Sequence, residues 1–266
     1  MTYTLLLLLL AMILVDVMAG AWAIAERTGQ SGWIDSIWSL SLGVVGVLAA
    51  LLPVAGADTM STRQMLVAAM VGLWALRLGL HIARRTHGGG DDPRYAKMKA
   101  DWGDQARGKL FLFLQIQAFF AFLLMLSVLA AARNPAPELG WFDLAGALVL
   151  LLAVIGEGVA DEQLNAFRAD PANRGKVCDW GLWGRSRHPN YFFQWLGWLG
   201  YALIGLNGVE TYPWGLVALS GPVIMYVLLV HLSGIPPLEA HMLRARGDAF
   251  RAYQARVNAF FPGPRR

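Results

Sequence analysis

The chain has 266 residues, of which 56% are hydrophobic, and its 22 Lys and Arg against 18 Asp and Glu give a net charge of +4. This composition excludes an ordinary soluble domain and is typical of a protein that crosses a membrane several times. The only cysteine, Cys178, excludes an intrachain disulfide, and basic residues confined to short loops between apolar runs argue against nucleic acid as a partner.

Apolar runs of membrane-spanning length recur along the chain and predict about seven transmembrane helices. No basic region precedes the first run, so we expect it to be retained; cleavage as a signal peptide would leave six spans. The prediction is an all-α, polytopic membrane protein with one domain over residues 1–266. The predicted spans are 3–25, 33–55, 62–83, 109–132, 141–166, 190–207 and 213–232.

The basic residues are distributed unevenly between the two sides that this topology defines. The loops after spans one, three and five and the C-terminal tail hold 19 of the 22 Lys and Arg, whereas the opposite loops hold only Arg63 and Arg133. Because cytoplasmic loops of membrane proteins carry an excess of Lys and Arg, the C-terminus and a basic cap are predicted to lie in the cytoplasm.

Asp35, near the start of the second span, is the first candidate for chemistry. The sequence WIDSIWS places Asp35 and Trp38 one helical turn apart, so a carboxyl and an indole share a face. Apolar surroundings would favour the protonated carboxyl, which could then donate a hydrogen bond. The alternative is that Asp35 only caps the helix at the membrane interface.

Ionisable side chains also occur within the third and fifth spans, where they need a partner or a function. One possibility is that Arg77 pairs with Glu157 or Asp161 to hold two helices together. Ligand binding is the other, and a satisfied buried network can serve both purposes. The residues at helical spacing are Arg77, His81, Arg84 and Arg85 on the third span and Glu157, Asp161 and Arg168 on the fifth.

A basic, glycine-containing loop leads into an aromatic helix that we predict to begin at Pro189. The free N–H groups of the first turn, together with Arg185, Arg187 and His188, would form an anion receptor at the membrane surface. Alternatively, these positive charges only orient the span.

The tail after the double proline places Glu239, His241 and Arg244 close together. Apolar residues then recur at helical spacing, which predicts an amphipathic segment that lies on the membrane or folds back. The five histidines are scattered without paired metal-ligand spacing, so no metal is expected.

Five motifs occur in order along nearly the whole chain: WIDSIWS, LRLGLHIARR with the following DDPRY, Asp161 with Arg168, GLWGRSRHPNYFFQWLGW, and SGIPPLE with the FFP ending. Together they resemble the steroid 5α-reductase family, in its bacterial branch. This resemblance implies seven spans in a bacterial inner membrane and the NADPH-dependent reduction of a steroid or other lipid enone at the bilayer.

By resemblance, Asp161, Arg168, Asn190, Trp198 and His241 match cofactor-contacting positions. Asp35 falls where the family carries a Glu that meets the substrate ketone, and Trp38 would assist it in stabilising the oxygen as hydride reaches the β-carbon. The Tyr that assists this Glu has no evident counterpart, and Trp74 or a neighbour takes its place. The full predicted NADPH set is Arg77, His81, Arg84, Arg85, Tyr95, Asp161, Arg168, Arg187, His188, Asn190, Tyr191, Trp198, Glu239 and His241.

Two other functions remain open from the sequence. The RHPNY block is similar to one in membrane isoprenylcysteine methyltransferases, so a methyltransferase that uses S-adenosylmethionine is the alternative enzyme. That cofactor carries no phosphate and has less need of an Arg-rich cap. A non-catalytic scaffold or lipid-binding protein is the third class.

Overall fold

The computed structural model describes residues 1–56, 59–87 and 91–265. Over these ranges the regular secondary structure is helical and contains no strand, which confirms the predicted all-α fold. The helices are α1 (Tyr3–Thr28), α2 (Trp33–Leu51), α3 (Thr62–His87), α4 (Pro93–Trp102), α5 (Ala106–Ala132), α6 (Trp141–Ala169), α7 (Pro189–Leu206), α8 (Ser220–Tyr226) and α9 (Ile235–Arg256), with a π-helical turn at Val227–Leu232.

Six helical stretches of the described chain are long and apolar enough to cross a membrane, as expected for a multi-pass membrane protein. The span predicted at 190–207 does form a helix, α7, but α7 is not one of the six, because Asn190, Gln194 and several glycines dilute its apolar character. The six stretches are Tyr3–Thr28, Trp33–Leu51, Thr62–His87, Pro93–Ala132, Trp141–Ala169 and Pro213–Arg256.

The chain forms two compact units. The first unit comprises residues 1–147 and 201–221, and the second comprises residues 148–200 and 222–266. The sequence contains no linker between domains, and each unit draws on two separate stretches of chain.

Close packing of α2 against α3 determines where Asp35 lies in the first unit. A Cβ atom at Gly43 would collide with Ala75, and one at Gly79 would collide with the side chain of Leu40. Small residues allow membrane helices to approach closely, so these glycines set the separation of the two backbones.

A buried ion pair fixes the N-terminal end of α3. The Arg63 guanidinium binds both carboxylate oxygens of Asp143, at 2.6 and 2.8 Å, and the two side chains are 2% and 1% exposed. Its remaining N–H groups donate to the carbonyls of Asn134, Ala136 and Glu138. A buried ion pair is tolerated when its polar groups are satisfied in this way, so Arg63 fastens the loop between α5 and α6.

In the second unit the tail folds back onto its own aromatic core. Phe260 lies 5.8 Å from the ring of Trp195 and 5.4 Å from that of Tyr226, while Phe250 and Tyr253 are buried in α9. The amphipathic segment predicted after the double proline therefore packs inward through its apolar face.

Candidate functional site

The carboxylate of Asp35 meets two consecutive residues of α4 in the first unit. The Tyr95 hydroxyl donates to Asp35 Oδ1 at 2.8 Å, and Arg94 Nη2 forms an ion pair with Asp35 Oδ2. Tyr95 is buried, whereas the Asp35 and Arg94 side chains keep 23% and 28% of their surface exposed. Asp35 thus accepts hydrogen bonds from two side chains of α4.

The sequence DDPRY explains why these two side chains reach Asp35. Asp92 caps α4 by accepting a hydrogen bond from the N–H of Arg94 at 2.9 Å, and Pro93 occupies the first turn. The same carboxylate also accepts from Arg94 Nε at 3.0 Å and from Arg94 Nη2 at 2.9 Å. One aspartate therefore sets both the start of the helix and the direction of the guanidinium.

The preceding aspartate, Asp91, anchors this motif to the turn between α1 and α2. Asp91 accepts from the Ser31 N–H at 2.7 Å and from Lys99 Nζ at 2.8 Å, and Lys99 also donates to the Ser31 hydroxyl at 2.9 Å. Burial raises the pKa of Asp91, but the hydrogen bonds from Lys99 and Ser31 and the charge of Lys99 outweigh burial and hold that pKa below its ordinary value.

Gln117 of α5 completes this cluster. Its Nε2 atom donates to the Tyr95 hydroxyl oxygen at 3.3 Å. Trp38, predicted to assist Asp35, instead donates its indole N–H to the main-chain carbonyl of Gln117 at 3.4 Å. We call Asp35, Arg94, Tyr95 and Gln117 the carboxylate–tyrosine cluster.

The remaining predicted residues of the first unit lie along α3. Arg77 and His81 are partly buried, and Arg84 and Arg85 are exposed near its C-terminal end. Arg85 Nη2 lies 3.8 Å from Asp92 Oδ2, so it extends the charge network of the carboxylate–tyrosine cluster toward solvent.

A second cluster forms in the second unit around Glu239 of α9. Arg187 donates two hydrogen bonds to this carboxylate, from Nε to Oε1 at 2.7 Å and from Nη2 to Oε2 at 3.2 Å. His188 Nε2 lies 2.9 Å from the same Oε1, and Gln254 Nε2 donates to Oε2 at 2.7 Å. We call Arg187, His188, Glu239 and Gln254 the tail clamp.

Arg187 has further bonds to the tail. Its Nη1 atom donates to the carbonyls of Gln254 and Val257, and its main-chain N–H donates to the carbonyl of Asn258 at 2.8 Å. The predicted anion receptor ahead of α7 therefore binds an anion of the protein itself, the carboxylate of Glu239. This arrangement favours a fastening role for Arg187 and Glu239 over direct contact with a cofactor.

His188 is 3% exposed and stacks on Tyr191, with 5.6 Å between ring centroids. Burial lowers the pKa of His188 below its ordinary value of 6.5, and the hydrogen bond to Glu239 offsets only part of that shift. The neutral imidazole donates through Nε2 to the carboxylate, and Nδ1 is buried with no hydrogen-bond partner among the described residues.

The other predicted residues of the second unit lie on α6, α7 and α9. Asn190 Nδ2 donates to Asp161 Oδ1 at 3.3 Å, so the structure brings these two predicted cofactor residues together. Asp161 and Trp198 are buried, Arg168 is exposed and His241 is partly buried. In the described part of the chain, no group of three or more His, Cys, Asp or Glu could hold a metal ion.

Sequence reasoning missed Gln254, and it missed Arg94 and Gln117 as neighbours of Asp35. The Asp-Pro step before Arg94 signals a helix start. It does not reveal a partner 59 positions earlier in the chain. Gln117 lies in an apolar run where its polar character was the available signal.

Comparison with known proteins agrees with this membrane architecture. An uncharacterised protein of the fission yeast Schizosaccharomyces pombe is 25% identical over 284 aligned positions, which cover 96% of this chain and 78% of the yeast protein. No solved structure matches the chain. The model of the DUF1295 family, described as a protein of unknown function and related to steroid 5α-reductase-like membrane proteins, matches residues 21–257. The chain therefore belongs to the DUF1295 family.

Proposed function

We propose that this protein is an integral membrane reductase that uses NADPH to reduce the carbon–carbon double bond of a 3-oxo-Δ4 steroid-like enone. The observation that carries the proposal is the hydrogen bond between Tyr95 and Asp35, 2.8 Å long. By resemblance to the steroid 5α-reductases, a carboxyl group and a tyrosine meet the substrate ketone. Tyr95 supplies the hydroxyl that the sequence did not locate, in place of Trp74 or a neighbour.

The chemistry asks for a hydrogen-bond donor where negative charge develops. As hydride reaches the β-carbon of an enone, charge grows on the carbonyl oxygen, and a positioned donor there stabilises the transition state. In this proposal the Tyr95 hydroxyl turns from Asp35 to that oxygen, while Arg94 compensates the charge of Asp35. A proton from solvent then reaches the α-carbon.

Bound NADPH would supply the hydride, and Asp161, Asn190 and Trp198 are proposed to hold the nucleotide. Asp161 and Asn190 already share a hydrogen bond, and buried Trp198 lies farther along α7. The tail clamp would keep the surrounding loop in place. Exposed cations that suit the phosphate charges of the nucleotide are Arg168, Arg174, Lys176 and Arg185.

The test begins with thermal shifts of the detergent-purified protein with NADPH, NADH and S-adenosylmethionine. A ligand that binds only the folded state raises the melting temperature by mass action, so we expect the largest rise with NADPH. Loss of NADPH absorbance in the presence of a 3-oxo-Δ4 steroid then measures turnover. A rise with S-adenosylmethionine alone would favour the methyltransferase, and NADPH binding without turnover of any enone would overturn the proposed reaction.

A further inference from the structure

The hydrogen-bond donors of the carboxylate–tyrosine cluster bind acceptors within the cluster and the neighbouring Asp92. The Tyr95 hydroxyl donates to Asp35, Arg94 donates to Asp35 and Asp92, and Gln117 Nε2 donates to the Tyr95 oxygen at 3.3 Å. A phenol oxygen that accepts one hydrogen bond is polarised, so its own O–H becomes a better donor. Gln117 therefore both positions the Tyr95 hydroxyl and strengthens it.

The side-chain oxygen of Gln117 is the unmet acceptor of this cluster. Gln117 Oε1 is buried and has no hydrogen-bond partner within residues 1–56, 59–87 and 91–265. A buried polar atom without a partner costs free energy, and such atoms in native structures call for an explanation. A ligand group that donates a hydrogen bond would satisfy it.

The ion pair at the edge of this cluster is partly exposed. Tyr95 is almost fully buried, but the Asp35 and Arg94 side chains keep 23% and 28% of their surface. From this ion pair, one hydrogen bond leads to the Tyr95 hydroxyl and a second leads to the Gln117 amide, so the buried acceptor adjoins the partly exposed part of the cluster.

We propose that Gln117 accepts a hydrogen bond from a hydroxyl group of the ligand, so that this cluster binds a lipid alcohol as well as the corresponding ketone. A ketone oxygen can only accept, and it engages Tyr95 only after the tyrosine leaves Asp35. A hydroxyl can donate to Gln117 Oε1 while the Tyr95–Asp35 bond stays intact. The inference deepens the proposed function, since it names a second ligand class for the same site.

The experiment compares two probes that differ in one functional group: a 3-oxo-Δ4 steroid and the same steroid with a 3-hydroxyl in place of the ketone. Apparent affinities are measured from thermal shifts of the full-length protein without NADPH, for the wild type and for Gln117→Met. Methionine keeps the length of glutamine and removes its polar atoms. Gln115→Met is the matched control, because Gln115 lies on the same helix and also has a buried amide atom without a partner among the described residues.

We expect Gln117→Met to weaken the alcohol about 3- to 10-fold, the effect of one lost hydrogen bond, and to weaken the ketone less. Gln115→Met should change neither affinity. Should Gln117→Met fail to fold, Gln117→Asn withdraws the amide by one methylene and serves as the second variant. Equal weakening of both steroids, or unchanged alcohol affinity, would overturn the inference.

The outcome separates this inference from the proposed reaction. Selective loss of the alcohol in a protein that never oxidises NADPH with an enone would sustain the role of Gln117 and remove the reductase proposal. Enone turnover, together with an alcohol affinity that Gln117→Met does not change, would support the reductase proposal and overturn the role of Gln117. If neither steroid shifts the melting temperature of the wild type, the proposed ligand class is wrong.

Discussion

At the scale of single residues, the decisive pairings join groups that are far apart in the chain. Asp35 and Tyr95 are 60 positions apart and come from different helices, yet they share a hydrogen bond. Both residues are candidates from the sequence, where Tyr95 was predicted among the cofactor contacts, because spacing along one helix does not reveal a partner on another. The contact with Asp35 moves Tyr95 to the proposed substrate end.

Replacement of Tyr95 by Phe tests this assignment. Removing one donor to a developing oxyanion typically lowers kcat by about 100-fold or more, and we expect that loss for Tyr95→Phe on an enone. The affinity for NADPH should not change, since Tyr95 bonds to Asp35 and Gln117. Steady-state kinetics with both substrates varied gives the two values separately.

Tyr212→Phe is the control for this substitution, because it removes a hydroxyl that donates to the main-chain carbonyl of Ala130 at 3.3 Å. It should leave kcat unchanged. A Tyr95→Phe variant with retained kcat and a raised KM for NADPH would return Tyr95 to the cofactor set that the sequence suggested.

His188 makes stability depend on pH. Its pKa in the folded protein lies below the ordinary value of 6.5, so the unfolded chain binds a proton more readily. The free energy of unfolding therefore keeps its full value, as far as His188 determines it, above about pH 6.5. It decreases as the pH falls from there toward the pKa of His188 in the folded protein. We expect the melting temperature to decline from pH 7 to pH 5, and we expect a shallower decline in His188→Gln.

His87→Gln is the matched control, since His87 is exposed at the end of α3. Melting temperatures measured across this range in the same buffers compare the three proteins. Parallel curves for the wild type and His188→Gln would show that His188 is not the titrating group.

At the scale of elements, the tail clamp joins α9 to the loop ahead of α7. Glu239→Gln keeps the shape of the side chain but leaves Arg187 without its charge partner, and both side chains are nearly buried, at 12% and 13% exposed. Breaking a buried pair from one side destabilises by about 3 kcal/mol or more. We expect a lowered melting temperature and faster proteolysis within α9.

The exposed pair formed by Arg251 and Asp248 provides the control on the same helix. Its side chains are 68% and 95% exposed, so Asp248→Asn should have no measurable effect on stability. If Glu239→Gln melted like the wild type but bound NADPH more weakly, Glu239 would be a cofactor ligand and the clamp would be incidental.

The sequence predicted the helical elements better than their partners. The first helical residue of α7, Pro189, was predicted from its chemistry, and the anion receptor ahead of it does bind a carboxylate. That this carboxylate belongs to Glu239, 52 positions later, depends on how the tail folds back. The helix α4 was not predicted, because its sequence is polar and contains no apolar run of membrane-spanning length. Its Asp-Pro start was the signal available.

At the scale of the whole molecule, the distribution of charge and the apolar character of α7 give opposite predictions of whether this helix crosses the membrane. Composition leaves α7 outside the six membrane-spanning stretches. However, the loop before α7 carries four Lys and Arg, Arg168 lies in the last turn of α6, and the tail after residue 232 carries six Arg. Two such segments belong on the cytoplasmic side by the positive-inside rule, which requires an even number of crossings between them. Charge therefore predicts that α7 crosses together with the stretch at 213–232.

The two cations predicted on the opposite side do not weaken this argument. Arg63 is engaged with Asp143, and Arg133 Nη2 donates to the carbonyls of Ala49 and Leu52 at 3.0 and 2.6 Å. The charge of Arg63 is compensated by Asp143, whereas Arg133 keeps its charge but is held by main-chain carbonyls. Neither Arg63 nor Arg133 is exposed, whereas most of the 19 cations on the predicted cytoplasmic side are, so the asymmetry of 19 against 2 remains.

Reporter fusions decide the topology. We expect a green fluorescent protein fused after residue 265 to fluoresce, because the distribution of Lys and Arg predicts a cytoplasmic C-terminus, and we expect alkaline phosphatase at the same point to be inactive. The matched control is alkaline phosphatase inserted at Pro137, between α5 and α6, which should be active in the periplasm. With seven crossings, reporters at the N-terminus and at the C-terminus report opposite sides of the membrane. With six crossings, they report the same side. Periplasmic activity at the C-terminus would mean that α7 does not cross and that six arginines lie outside, against the charge rule.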